Sequence, residues 1–256
     1  MAERANGIGR GNQVNAPLSP LAQSPVLTDL LQQVTQQPLD AFSVATKLGL
    51  LYKPPARRGE ERRQQAMRAL CNGGDPLEVD VQSRLQQLSV SPAFHEQITY
   101  PYVPSSTREY TFIPSADGRP NIVAADSAGN AIQEYDGLAI ISDPQQGKVL
   151  VMFEIKRDGN SKGVKGHRRT VAKALQGKKK PLEAFIRTQQ DMKGPVLAFI
   201  TAGSPPASIE RKIRRAGGTV YSFAVTEGEY RDYVTAAYSH LQEIVGRRKD
   251  ASLAAR

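Results

Sequence analysis

Cysteine is nearly missing from this 256-residue chain. Cys71 stands alone, so neither an internal disulfide nor a Cys-based zinc site can form. Histidine is also scarce, and His95, His167 and His240 are too scattered for a local metal motif. No stretch approaches the roughly 18 consecutive apolar residues that a membrane-spanning helix needs. The N-terminus carries Glu3 and Arg4 and lacks an apolar core, so a standard secretory signal is not expected. Acidic residues are in deficit, 25 against 34 Lys and Arg, for a net charge of +9. A basic globular protein of a reducing compartment is expected, cytoplasmic and without a membrane partner; a secreted effector is the alternative.

The excess charge is concentrated. Between residues 155 and 187 lie eleven basic residues: Lys156, Arg157, Lys162, Lys165, Arg168, Arg169, Lys173, Lys178, Lys179, Lys180 and Arg187. Only Asp158 and Glu183 oppose them, so this segment alone carries a charge equal to that of the whole chain. Such a block is the electrostatic footprint of a polyanion partner, because each neutralised phosphate releases counterions. A solvated basic surface accounts for the charge equally well. An interfacial membrane helix does not, since the segment lacks a large apolar face.

Residues 1–23 are rich in Gly, Asn, Pro and Ser and read as a disordered leader. Gly7, Gly9 and Gly11 follow no strand and precede no Gly-Lys-Ser/Thr, so they do not make a phosphate loop. Residues 24–74 read as a helical module. Ser24-Pro25 starts a helix with Leu27, Leu30, Leu31 and Val34 at helical spacing. Pro38 opens a second bearing Phe42, Ala45 and Leu48 and closed by Gly49, and a charged helix covers 60–71.

A domain over 75–246 begins with a helix bearing Val79, Val81, Leu85 and Leu88. Strands are then expected over 97–103, 109–113, 121–125, 131–142 and 148–156. A helix over 166–176, a strand over 195–201, a helix over 207–216, a strand over 219–224 and a helix over 229–245 follow. A basic flexible tail covers 247–256. The order predicts an α/β fold, a mixed sheet flanked by helices, with an N-terminal helical appendage. Tyr100, Tyr102, Tyr110 and Phe112 alternate on strands, a core pattern first and a base-stacking pattern second.

One stretch carries chemistry. Residues 135–141 (Tyr-Asp-Gly-Leu-Ala-Ile-Ile) and 149–156 (Val-Leu-Val-Met-Phe-Glu-Ile-Lys) flank a turn over 143–147. Read as a hairpin with that five-residue loop, Ser142 faces Lys148, and counting outward sets Asp136 opposite Glu154. Directly opposed residues share a face, and the period of two adds Lys156 to it. A different loop register would move Asp136 away. Two opposed carboxylates repel, and the apolar run before Glu154 predicts burial, where an unpaired carboxylate is costly. A divalent cation would relieve both penalties, and Mg²⁺, or Mn²⁺ in its place, suits oxygen ligands. Asp, Glu, metal and Lys are the parts of metal-assisted phosphodiester hydrolysis.

At these residues the sequence resembles the PD-(D/E)XK nuclease superfamily, with its restriction-endonuclease-like fold. The family's Asp, its Glu-X-Lys at the end of the next strand and its following helix match Asp136, Glu154 with Lys156, and residues 166–176. Tyr135 stands where the Pro of the family's name would be. Many members add an acid from the helix before the sheet; Glu78 is the best match and Asp80 the alternative. The resemblance covers residues 75–202. It implies a Mg²⁺-dependent endodeoxyribonuclease in which Asp136, Glu154 and the Ile155 carbonyl hold the metal. Lys156 would orient water or stabilise the phosphate.

On the helix that follows, Arg169, Lys173 and Gln176 share a face. With Lys162, Lys165, His167, Arg168, Lys178, Lys179 and Lys180 they are the expected contacts to the nucleic-acid backbone. DNA is the expected partner, RNA the alternative; a homodimer or a neutralising protein partner are further readings. No Gly-X-Ser-X-Gly elbow exists, and Cys71 has no nearby His in sequence. A non-catalytic nucleic-acid-binding protein on the same fold, and a secreted antibacterial nuclease toxin, stand as alternative functions.

Overall fold

The computed structural model describes residues 24–53, 59–72, 75–115, 118–157 and 171–254, and the expected leader lies outside them. Four helices come first: α1 (Pro25–Gln36), α2 (Ala41–Leu51), α3 (Glu60–Asn72) and α4 (Asp75–Ser89). Six strands follow: β1 (Ile98–Thr99), β2 (Tyr110–Pro114), β3 (Ile122–Asp126), β4 (Ala131–Tyr135), β5 (Gly137–Asp143) and β6 (Gly147–Lys156). The chain then alternates through α5 (Val171–Ile186), β7 (Met192–Thr201), α6 (Ala207–Arg215), β8 (Gly218–Ser222) and α7 (Glu227–Ala254). The fold is α/β, as expected. A mixed five-stranded sheet has the order β1-β5-β6-β7-β8, and a separate three-stranded sheet has the order β2-β3-β4. Strands β1, β5 and β6 pair antiparallel, whereas β6, β7 and β8 run parallel. No helix among the described residues is long and apolar enough to cross a membrane.

Strand β6 lies between two cores. Val149, Val151, Phe153 and Ile155 join the apolar stripes of α1, α2, α4 and α7. Leu150 and Met152 face the other way, onto Leu182 and Phe185 of α5, Ile213 of α6 and Tyr135 of β4. A strand covered on both faces must be apolar throughout, which is why this run does not alternate. The pleat then aims Glu154 and Lys156 toward the α5 side, the side of Leu150 and Met152.

The helices of residues 24–72 share their core with the large sheet. Ser24 caps α1, its Oγ accepting from the Leu27 N–H at 3.3 Å, and Leu27, Leu30, Leu31 and Val34 are buried as their spacing requires. The second helix departs from expectation at both ends. It starts after Asp40, whose carboxylate accepts from the Phe42 and Ser43 N–H groups, rather than at Pro38. It also runs through Gly49, where a Cβ would lie 3.1 Å from Ile244 on α7; close helix packing, not a helix stop, calls for that glycine. Phe42 is 61% exposed, and Val44 takes its expected place in the core.

Four other boundaries also differ. The expected strand over 131–142 is broken at Asp136, so β4 and β5 belong to different sheets. Helix α5 continues through Gly177, the lysine run and Pro181, because Leu182 and Phe185 are fully buried beyond them. Helix α7 continues through the stretch read as a flexible tail, to Ala254. The expected strand over 97–103 reduces to Ile98–Thr99.

Candidate metal and phosphodiester site

The hairpin register is the one the loop count predicts. Ser142 pairs with Lys148, and the ladder runs from Asp143 with Gly147 to Gly137 with Phe153. Asp143 helps fix the turn, since its Oδ1 accepts from the Gln145 and Gln146 N–H groups at 2.9 and 3.0 Å. One step beyond the ladder stands Asp136, level with Glu154. Its backbone lies outside the strand, and the Gln82 side chain donates to its carbonyl at 2.7 Å.

Asp136 and Glu154 are only 5% and 7% exposed. The Asp136 Oδ2 accepts from the Ile155 N–H at 2.7 Å and from the Lys156 Nζ at 2.8 Å. Lys156 also lies 3.1 Å from Glu154 Oε1, so its ammonium bridges the two carboxylates. Burial alone would lower the Lys156 pKa, but Asp136 and Glu154 outweigh it and hold the pKa above the ordinary lysine value. Lys156 is therefore a fixed positive charge and not a base. A strand residue's N–H and C=O leave on the same edge, so the Ile155 carbonyl shares the edge on which its N–H meets Asp136.

The choice between the two helical acids is made by the faces of α4. Glu78 and Gln82 are one turn apart on the face toward the hairpin. Glu78 Oε1 accepts from Asn121 Nδ2 at 2.9 Å, and Gln82 ties Asn121 Oδ1, at 2.8 Å, to the Asp136 carbonyl. Burial, and then the Asp136 charge, push the Glu78 pKa up to about 7 despite the Asn121 hydrogen bond. Asp80 faces elsewhere. It pairs with Arg84 at 2.9 and 3.0 Å, and Arg84 also caps the carbonyls of Val34, Gln37 and Pro38.

Reading the sequence alone missed Gln82 and Asn121, and assigned Tyr100 to a core pattern. The Tyr100 hydroxyl is buried, has no hydrogen-bond partner among the described residues, and feels the charges of Glu78 and Asp136. Burial first, and then those charges, raise its pKa. An i, i+4 Glu-Gln pair on a helix was the one signal that could have drawn attention to Gln82.

The donor set is entirely oxygen: Asp136, Glu154 and the Ile155 carbonyl, with Glu78 on the flank. Among the described residues no group of three or more His, Cys, Asp or Glu side chains could hold a metal ion unaided. Mg²⁺ keeps several waters and needs only one or two carboxylates, so the residues present fit it. The orphaned Tyr100 hydroxyl beside the carboxylates is a ready donor to such a water.

The expected backbone contacts divide. Lys162, Lys165, His167, Arg168 and Arg169 lie outside the described residues, as do the side chains of Lys173 and Gln176. Lys178 reaches into the site, its Nζ bonded to Glu154 Oε2. Lys179 donates to the Ala216 carbonyl at 2.5 Å, at the C-terminal end of α6, and burial lowers its pKa. Lys180 is exposed. Arg157 lies over the Tyr230 ring, 5.6 Å from its centroid, on a separate cavity of about 380 Å³.

No protein-family model, curated protein or solved structure matches the chain.

Proposed function

We propose that the chain is a Mg²⁺-dependent nuclease of the PD-(D/E)XK type that hydrolyses DNA phosphodiester bonds. The observation that carries this reading is the meeting of Asp136, Glu154 and Lys156 at one strand end, with Lys156 within 3.1 Å of both carboxylates. Their order on a hairpin, the acid from the preceding helix and the basic helix that follows support it further.

In this reading Asp136, Glu154 and the Ile155 carbonyl hold the cation. When bound, it polarises the phosphodiester and makes water nucleophilic at neutral pH. Lys156, kept protonated by its two carboxylates, donates to a non-bridging phosphate oxygen and offsets the charge that grows there in the transition state. Gln82 and Asn121 are positioning residues: they hold the Asp136 backbone and Glu78 beside the hairpin. The basic block binds the substrate backbone without reading its sequence.

A second reading has an observation of its own. The buried Asp136 and Glu154 form a charge-balanced cluster with the partly exposed Lys156 and Lys178, which would serve a non-catalytic nucleic-acid-binding protein as a structural brace. One experiment separates the two. The purified full chain is incubated with supercoiled and linear DNA, and in parallel with RNA, across Mg²⁺ and Mn²⁺ concentrations. Metal-dependent cleavage lost in Asp136→Ala and Glu154→Ala supports the nuclease. Salt-dependent binding with no cleavage under any condition leaves the binding protein.

A further inference from the structure

We propose that Lys178 couples nucleic-acid binding to divalent-cation binding. In the free protein its ammonium occupies Oε2 of Glu154; an arriving phosphate draws it off and opens that oxygen to the cation. The inference rests on the nuclease reading above.

The two lysines of the site are not equivalent. Lys156 is held by two carboxylates, Asp136 Oδ2 at 2.8 Å and Glu154 Oε1 at 3.1 Å, and it stands on the same strand as Glu154. Lys178 comes from α5, and Glu154 is its one ion-pair partner among the described residues. The Tyr135 hydroxyl donates to the Lys178 carbonyl at 2.8 Å, so the helix turn stays in place and any movement falls on the flexible four-carbon stem. Lys180, two residues along, is exposed. The lysine therefore sits between the carboxylates and the exposed Lys180.

Charge decides what happens next. With both lysines in place, the two carboxylates of the hairpin are fully balanced and exert no net pull on a cation. Oε2 is also taken, and a dication beside the Lys178 ammonium would be repelled in a poorly solvated setting. With Lys178 withdrawn, the cluster carries a net negative charge and a carboxylate oxygen is open. A phosphodiester is the partner that can withdraw it, since it offers the ammonium an equivalent charge-assisted hydrogen bond. Linkage makes the effect reciprocal: the cation must tighten nucleic-acid binding by the same factor.

The test measures Mn²⁺ binding to the full-length chain by the loss of the free-ion electron paramagnetic resonance signal. It is run with and without a short DNA duplex bearing phosphorothioate linkages, and binding to the duplex alone is subtracted. The duplex should tighten Mn²⁺ binding to the wild type about tenfold, within the 5–150-fold range usual for coupled sites. Lys178→Met should bind Mn²⁺ about tenfold more tightly than wild type without DNA and gain little more from the duplex. Lys178→Arg should keep the coupling. Equal or weaker Mn²⁺ binding in Lys178→Met, or an undiminished duplex effect, overturns the proposal and leaves Lys178 a fixed ion pair. Should the methionine variant not fold, wild type decides alone: equal Mn²⁺ affinity with and without duplex overturns the coupling. Wild type that binds no Mn²⁺ under either condition overturns the nuclease reading itself.

Discussion

Asp136 meets a backbone amide, an ammonium and the field of a second carboxylate at once. Asp136→Asn preserves its shape and removes its charge, so Lys156 loses one of its two holds. In the nuclease reading, DNA cleavage should fall by about 10²–10³ or more, as for loss of one preorganised electrostatic contact. Duplex affinity, measured by fluorescence anisotropy in chelator-treated buffer, should change little. Glu78 makes a prediction about pH. Its folded pKa of about 7 stands above the ordinary 4.5, so the folded protein holds this proton more tightly than the unfolded chain. The stability it contributes is complete below about pH 4.5 and is lost as pH rises through about 7. Urea unfolding in chelator-treated buffer should show that decline, up to about 3 kcal/mol. Glu78→Gln should flatten it and be the more stable protein at pH 8.

At the scale of elements, the site depends on how β6 and α4 are seated. Gly194 on β7 has φ +112°, and a Cβ there would lie 2.7 Å from the Leu150 carbonyl oxygen of β6. The β6–β7 register shifts at the same place, between Val149 and Val151. Gly194→Ala should cost about 1–3 kcal/mol, from the backbone strain alone, read as a lower urea midpoint. On α4, Arg84 holds Asp80 and the carbonyls at the end of α1 and just beyond it. Arg84→Met would take the ion-pair partner from the buried Asp80 carboxylate, a loss of about 3–5 kcal/mol measured by chemical denaturation. The same α4 presents Glu78 and Gln82 to the hairpin on its other face. One helix thus joins the N-terminal helices to the site.

For the molecule as a whole, the nucleic-acid reading of the basic block makes a prediction about salt. If it lies along duplex DNA and neutralises 6–10 phosphates, affinity should fall by about 10³–10⁵ between 50 and 200 mM salt, with little dependence on base sequence. Anisotropy titrations at several salt concentrations give the slope. A slope near zero would leave the block a solvated surface. Lys179, engaged with the Ala216 carbonyl, should contribute less to that slope than exposed Lys180.

The α/β order, the apolar β6 and the hairpin register were readable from residues 135–156, because the turn and the period of two determine which side chains oppose each other. Asp136, Glu154 and Lys156 followed from that local rule. The rest depended on contacts between residues distant in the chain. Glu78 and Asp80 look alike in sequence, and only the packing of α4 sends one to the hairpin and the other to Arg84. Lys178, Lys179 and Lys180 form one uniform run, yet the helical rotation of α5 gives each a different surrounding. The break at Asp136 has the same origin: Gln82, from another element, holds its carbonyl, while its carboxylate receives the Ile155 N–H. Periodicity along the chain assigns a residue its face, but the partner across that face belongs to another element, and no local pattern specifies it.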